Sequence, residues 1–68
     1  MEDVPVSTDS IRLGQFLKLA GLIDIGSDVR SLLEDGRIHV NGETEHRRGR
    51  QLVRGDIVTV DDTELRVA

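Results

Sequence analysis

The chain has no cysteine, no tryptophan and no tyrosine, and only one phenylalanine and one proline among its 68 residues. Without cysteine there is no disulfide framework, no thiol nucleophile and no thiolate to hold a metal, which fits a reducing cytoplasm. With Phe16 as the single ring besides the two histidines, and on an apolar stripe, the core must be aliphatic and little ring surface is left for unpaired bases to stack on. No apolar run approaches the ~20 residues of a membrane span. The acidic start Met1-Glu2-Asp3-Val4-Pro5 does not resemble a signal peptide, which needs a basic start and an apolar centre. These absences predict a cytoplasmic protein with no membrane partner.

Catalytic constellations are missing as well. No nucleophile stands with a base and an orienting group, and no pair of carboxylates marks an evident pocket. His39 and His46 have no cysteine beside them, and their separation matches no usual zinc spacing. Gly26-Ser27 is too short to be a phosphate-binding loop. A chain of this length forms one domain, expected over 1–68 with its core at 11–60, and buries only roughly 60% of its unfolded surface. Little room is left for a deep cleft. The expectation is a monomeric, non-catalytic module with no cofactor, no metal and no small-molecule substrate.

What is present is an uneven distribution of charge. The formal net charge of −4 argues against a polyanionic partner, but residues 1–29 carry two basic and five acidic side chains and residues 55–68 one and four. Residues 30–54 carry six basic and four acidic ones, and from His46 to Arg54 there are four arginines and no acid. A cationic patch on an acidic body is the better description.

The stretch from Gly26 to Gly42 organises the rest. Ser27 is a natural N-cap, Asp28 suits the positive end of a helix dipole, and Val29, Leu32 and Leu33 share one helical face. Gly36 ends that helix. Alternation follows, with Ile38 and Val40 on one side and Arg37 and His39 on the other, closed by the hairpin turn Asn41-Gly42. Upstream, Leu13, Phe16, Leu17 and Ala20 form an i, i+3, i+4, i+7 stripe that predicts a helix over 12–20, capped by Asp9 or Ser10 and ended by Gly21. Gly14 lies off the stripe; either it admits a close approach to the backbone or it has no role. Val4 and Val6 flank Pro5, which confines any strand there to a sheet edge.

Both apolar stripes are expected to pack on a sheet built from Ile38–Val40, a strand near Thr44, Leu52-Val53, Ile57–Val60 and Leu65–Val67, with Ile57–Val60 covered on both faces. A strict two-residue turn at Asn41-Gly42 sets Glu45 opposite Ile38 on the core face. A bulge or an early exit from the sheet would relieve that conflict and project His46 to Arg50 as an exposed loop. Glu43, Glu45, Asp61 and Asp62 are otherwise read as polar turn and strand positions.

Arg47, Arg48 and Arg50 are the leading functional candidates, since guanidinium groups bind phosphate oxygens two at a time and stay charged at any relevant pH. The bland alternative is a solvated loop. Arg30 either contacts phosphate beside the second helix or pairs with Glu34 in solvent. Arg12 and Lys18 lie on the outer face of the first helix, and Arg37 and His39 can extend the patch.

These residues resemble the S-four RNA-binding domain, the module named for the fourth small-subunit ribosomal protein and reused in RNA-modifying enzymes. Arg12-Leu13 is similar to the family's opening of helix one, Arg30 falls on the basic position of helix two, and Gly36 through Val40-Asn41-Gly42 resembles its most recognisable signature. Arg47-Arg48-Gly49-Arg50…Leu52…Gly55-Asp56 resembles the small stand-alone bacterial branch. The likeness covers residues 11–60. It departs at Gly14, where the family often has Asp, at Ile25, where it has Ser or Thr, and at Gly26, where ribosomal members have Arg. The resemblance implies an α+β fold, two helices on a small, mostly antiparallel sheet. It also implies structured RNA, ribosomal or transfer, bound across the helices and the adjoining loop by Arg12, Lys18, Arg30, Arg37, Arg47, Arg48 and Arg50. The alternatives are a protein-interaction adaptor that keeps the fold with weak RNA affinity, and an accessory subunit of an RNA-modifying enzyme.

Overall fold

The computed structural model describes residues 1–23 and 28–68. The elements run β1 (Glu2–Val4), β2 (Ile11–Arg12), α1 (Leu13–Leu19), α2 (Asp28–Glu34), β3 (Ile38–Val40), β4 (Glu43–Thr44), β5 (Gln51–Leu52), β6 (Ile57–Val60) and β7 (Thr63–Val67). Five strands form one sheet in the order β1-β7-β6-β3-β4, and β2 and β5 form a separate two-stranded ribbon. This is the expected α+β architecture.

Alternation builds the main sheet. Ile38 and Val40 on β3, Val58 and Val60 on β6, and Leu65 and Val67 on β7 all turn to the core. Ile57 and Thr59 are half-buried, so the second face of β6 is only partly covered. The β3–β6 and β6–β7 pairs are antiparallel, whereas β1 runs parallel to β7 at the sheet edge. Pro5 follows β1 directly, where its missing N–H costs no ladder bond. Val4 and Val6 on either side of it are both buried.

The helices lay their stripes on this sheet. Leu13, Phe16 and Leu17 of α1 and Val29 of α2 are fully excluded from solvent, and Leu33 nearly so. Each such side chain contributes about 1.5–3 kcal/mol of transfer free energy. Both helices end in the same pattern of paired hydrogen bonds. In α2 the Arg37 N–H donates to the Leu32 carbonyl at 3.0 Å and the Gly36 N–H to Leu33 at 3.2 Å, with Gly36 at φ 70°. In α1 the Leu22 N–H donates to Leu17 and the Gly21 N–H to Lys18.

Two expectations are corrected. Neither Asp9 nor Ser10 caps α1: the cap position is Arg12, extended at φ −75° and ψ 147° with no side-chain cap bond, because β2 intervenes. Leu52 is buried but pairs through β5 with Ile11 of β2, outside the main sheet, and Val53 after it is half exposed. The expected Ser27 cap, the residues Ile25 and Gly26 and the N-terminal contacts imagined beside Arg30 lie outside the described residues. Among the described residues no helix is long and apolar enough to cross a membrane.

Candidate functional site

The site begins at the hairpin turn. Asn41 and Gly42 both take positive φ, 53° and 87°, the pairing that matches a tight turn to the twist of its strands. Val40 then pairs with Glu43 and His39 with Thr44, and the Glu45 N–H donates to the Ile38 carbonyl at 2.9 Å. The turn is strict and has no bulge. The strand does end at Thr44, but Glu45 still faces the core and is only 5% exposed, so it is not the polar surface position the sequence suggested.

A buried carboxylate persists only when its oxygens are satisfied. Oε2 of Glu45 accepts the backbone N–H groups of His46 at 3.0 Å and Arg47 at 2.9 Å, and the Arg47 Nε at 3.2 Å. Oε1 accepts Arg50 Nη1 at 2.8 Å. The hydrogen bond from the Arg47 side chain, then that from Arg50, pulls the Glu45 carboxyl down to about 2, against the opposing effect of burial. The loop from His46 to Arg50 is therefore folded around an anion of the protein's own.

The same loop supplies what α1 lacks at its start. The Arg50 carbonyl accepts the Leu13 N–H at 2.8 Å and the Arg48 carbonyl accepts the Gly14 N–H at 3.2 Å. Two N–H groups that a helix start leaves without partners are thereby used, and they are closed to an outside anion. The Arg48 side chain does approach Gly14, but the approach does not require a glycine: a Cβ there would lie 3.4 Å from Arg48 Cγ and 3.6 Å from its Nε, ordinary van der Waals contact. The Arg48 side chain runs across the glycine. At the other helix, His46 Nδ1–H donates to the Leu33 carbonyl at 3.1 Å and ties the loop to the end of α2.

Two depressions share Arg48 in their lining. The larger, about 420 Å³, is lined by Arg12, Gly14, Gln15, Lys18, Val29, Arg48 and Gly49. The smaller, about 320 Å³, is lined by Arg30, Leu33, Glu34, His46 and Arg48. Among the described residues no carboxylate lines the first, and Glu34 lines the second. The structure thus gathers Arg12, Lys18, Arg30 and Arg48, from β2, α1, α2 and the loop, about two depressions that share Arg48.

The other three candidates are disposed differently. Arg50 is turned inward onto Glu45, with its side chain 29% exposed. Arg47 also pairs with Glu45, but 75% of its side chain remains in solvent. Arg37 bonds Asp61 through Nε at 2.8 Å, beside the start of β3, and lines neither depression. That contact holds the Asp61 carboxyl below its ordinary range. Arg30 forms an exposed pair with Glu34 at 3.3 Å. Arg12, Lys18 and Arg48 form no ion pair among the described residues. Phe16 is wholly buried and offers no stacking surface. Among the described residues no group of three or more His, Asp or Glu can hold a metal ion.

Sequence reasoning missed Glu45, the Arg48–Gly14 contact and the His46 cap. The first had a readable signal, the strict turn register. The other two depend on where the loop folds back.

Comparison with known proteins agrees with this fold. A family model described as an S4 domain matches residues 4–68. The chain is 41% identical over 58 residues to the "Probable ribosome maturation protein RlbA" of Bacillus subtilis (strain 168), an alignment covering 85% of this chain and 82% of that protein. It is 56% identical over 36 residues to the "Small ribosomal subunit protein uS4m" of Schizosaccharomyces pombe, which covers 53% of this chain and 11% of that one.

Proposed function

The chain belongs to the S4 domain family, and on that premise we propose that it is a non-catalytic cytoplasmic module that binds structured RNA of the ribosome through the groove around Arg48. The observation that carries this reading is the convergence of Arg12, Lys18 and Arg48 on one depression, where no carboxylate stands among the described residues that line it. Three cations at one concave site neutralise several backbone phosphates at once, and backbone neutralisation supplies most sequence-independent affinity for nucleic acid. Arg30 lines the second depression, while Arg47 and Arg50 bond Glu45 and Arg37 bonds Asp61. With its only benzenoid ring buried, the protein recognises folded RNA by backbone shape and charge. The matched ribosome maturation and ribosomal proteins support ribosomal RNA ahead of transfer RNA.

Titration of folded ribosomal RNA fragments against the Arg12/Lys18/Arg48→Ala variant tests the reading. Each phosphate left without its cation lowers the salt slope by about 0.7–0.9, so the triple variant should lose about 2–3 from the slope and bind at least about tenfold more weakly. An unchanged slope and affinity would remove the groove from the function.

One observation favours the adaptor reading: Arg30, Arg47 and Arg50 each pair with a carboxylate, which lowers the positive potential about the loop and α2. Ribosome association that survives nuclease and high salt would support that reading over RNA contact.

A further inference from the structure

We infer that Glu45 is a positioning residue for RNA binding: an acid in the middle of the arginine loop strengthens the protein's grip on a polyanion, because it fixes Arg48 over Gly14. The inference rests on the groove reading above.

The geometry has two parts. Glu45 holds the chain on both sides of Arg48-Gly49, through the His46 and Arg47 N–H groups before it and the Arg50 guanidinium after it. Between those anchors the carbonyls of Arg48 and Arg50 are seated on the first turn of α1. Among the described residues Arg48 alone lines both depressions. A free loop of this composition would need to order Arg48 at each binding event. A loop already folded on its own carboxylate has met that cost before RNA arrives.

Charge counting predicts the opposite sign. Removing one carboxylate changes the net charge from −4 to −3. It also releases two guanidinium groups for phosphate, so a simple electrostatic account has Glu45→Gln binding more tightly. The sign of the change separates the two accounts.

The experiment measures binding of a folded ribosomal RNA transcript to the wild type, Glu45→Gln, Glu45→Asp and the Arg12/Lys18/Arg48→Ala variant at one salt concentration. Amide hydrogen exchange on the free proteins accompanies it. Both Glu45 variants should bind about five- to tenfold more weakly, the scale of ordering one long side chain and its loop. Glu45→Asp keeps the charge and shortens the reach, so its loss cannot be a charge effect. The Leu13 and Gly14 amides should exchange faster in both variants while the β6 amides keep their protection. Affinity at or above wild type in Glu45→Gln, or unaltered exchange at Leu13 and Gly14, overturns the inference. So does global unfolding of both variants, since Glu45 would then act on the whole fold. If the triple variant binds normally, the groove reading itself fails, and the exchange data still decide whether Glu45 seats the loop.

Discussion

Glu45 and Ile38 face each other across a hairpin, joined by an N–H···O bond of 2.9 Å, so a carboxylate occupies the core side of the sheet beside a fully buried isoleucine. The pH dependence of stability follows from that placement. The folded-state carboxyl titrates at about 2, below its ordinary 4.5, chiefly because the Arg47 and then the Arg50 side chains bond it. A lowered folded value means the stabilisation is complete above about 4.5 and is lost as pH falls toward 2. Thermal denaturation from pH 7 to 2 should show the wild type losing its advantage over Glu45→Gln across that window. A gap that stays constant would place the charge of Glu45 outside the stability balance.

Asn41 joins the turn to β6. Its Oδ1 accepts the Ile57 N–H at 2.9 Å, its Nδ2 donates to Asp56 at 3.1 Å, and its φ is positive. Asn41→Ala should cost about 1–3 kcal/mol in urea denaturation, from the orphaned N–H and the left-handed backbone together. Asn41→Gly keeps the backbone at ease and should cost less. Equal losses would mean that the hydrogen bonds alone matter.

Gly14 permits opposite changes in stability and binding. Alanine there gains up to about 1 kcal/mol of helix propensity and meets Arg48 only at van der Waals distance. Gly14→Ala should raise the melting temperature and leave RNA affinity close to wild type. Gly14→Asp puts a carboxylate beside the Arg48 guanidinium and should weaken RNA binding several-fold, with a shallower salt slope. Parallel melts and titrations check both.

Arg37 should be silent in RNA binding. It lies away from both depressions and is already bonded to Asp61 in a half-exposed pair, the kind that contributes little to stability. Arg37→Ala should bind RNA within about twofold of wild type under conditions where the Arg12/Lys18/Arg48→Ala variant fails. A reduction comparable to that of the triple variant would extend the site past β3.

Much of the fold is local and therefore readable. The α1 stripe, the glycine ends of both helices and the Asn41-Gly42 turn each depend on residues within a few positions of one another, and they occur where the pattern puts them. The cap of α1 is not local. Its N–H groups are taken by carbonyls from more than thirty positions downstream, and neither Asp9 nor Ser10 carries any mark of that. Leu52 reads as a core strand residue, which it is, but its partner Ile11 is set by the path of the chain.

The functional surface divides along the same line. By itself the amino-acid order determined the two helical stripes, the core strands β3, β6 and β7, the aliphatic core, the clustering of arginines and the register that drives Glu45 inward, because these follow from side-chain periodicity and turn chemistry. Only the tertiary structure decided that Arg50 turns in, that Arg37 meets Asp61 and that Arg48 joins Arg12 and Lys18 over Gly14. A charge's availability depends on which opposite charge the fold brings within a few ångströms, and for Arg37 that partner is twenty-four positions away.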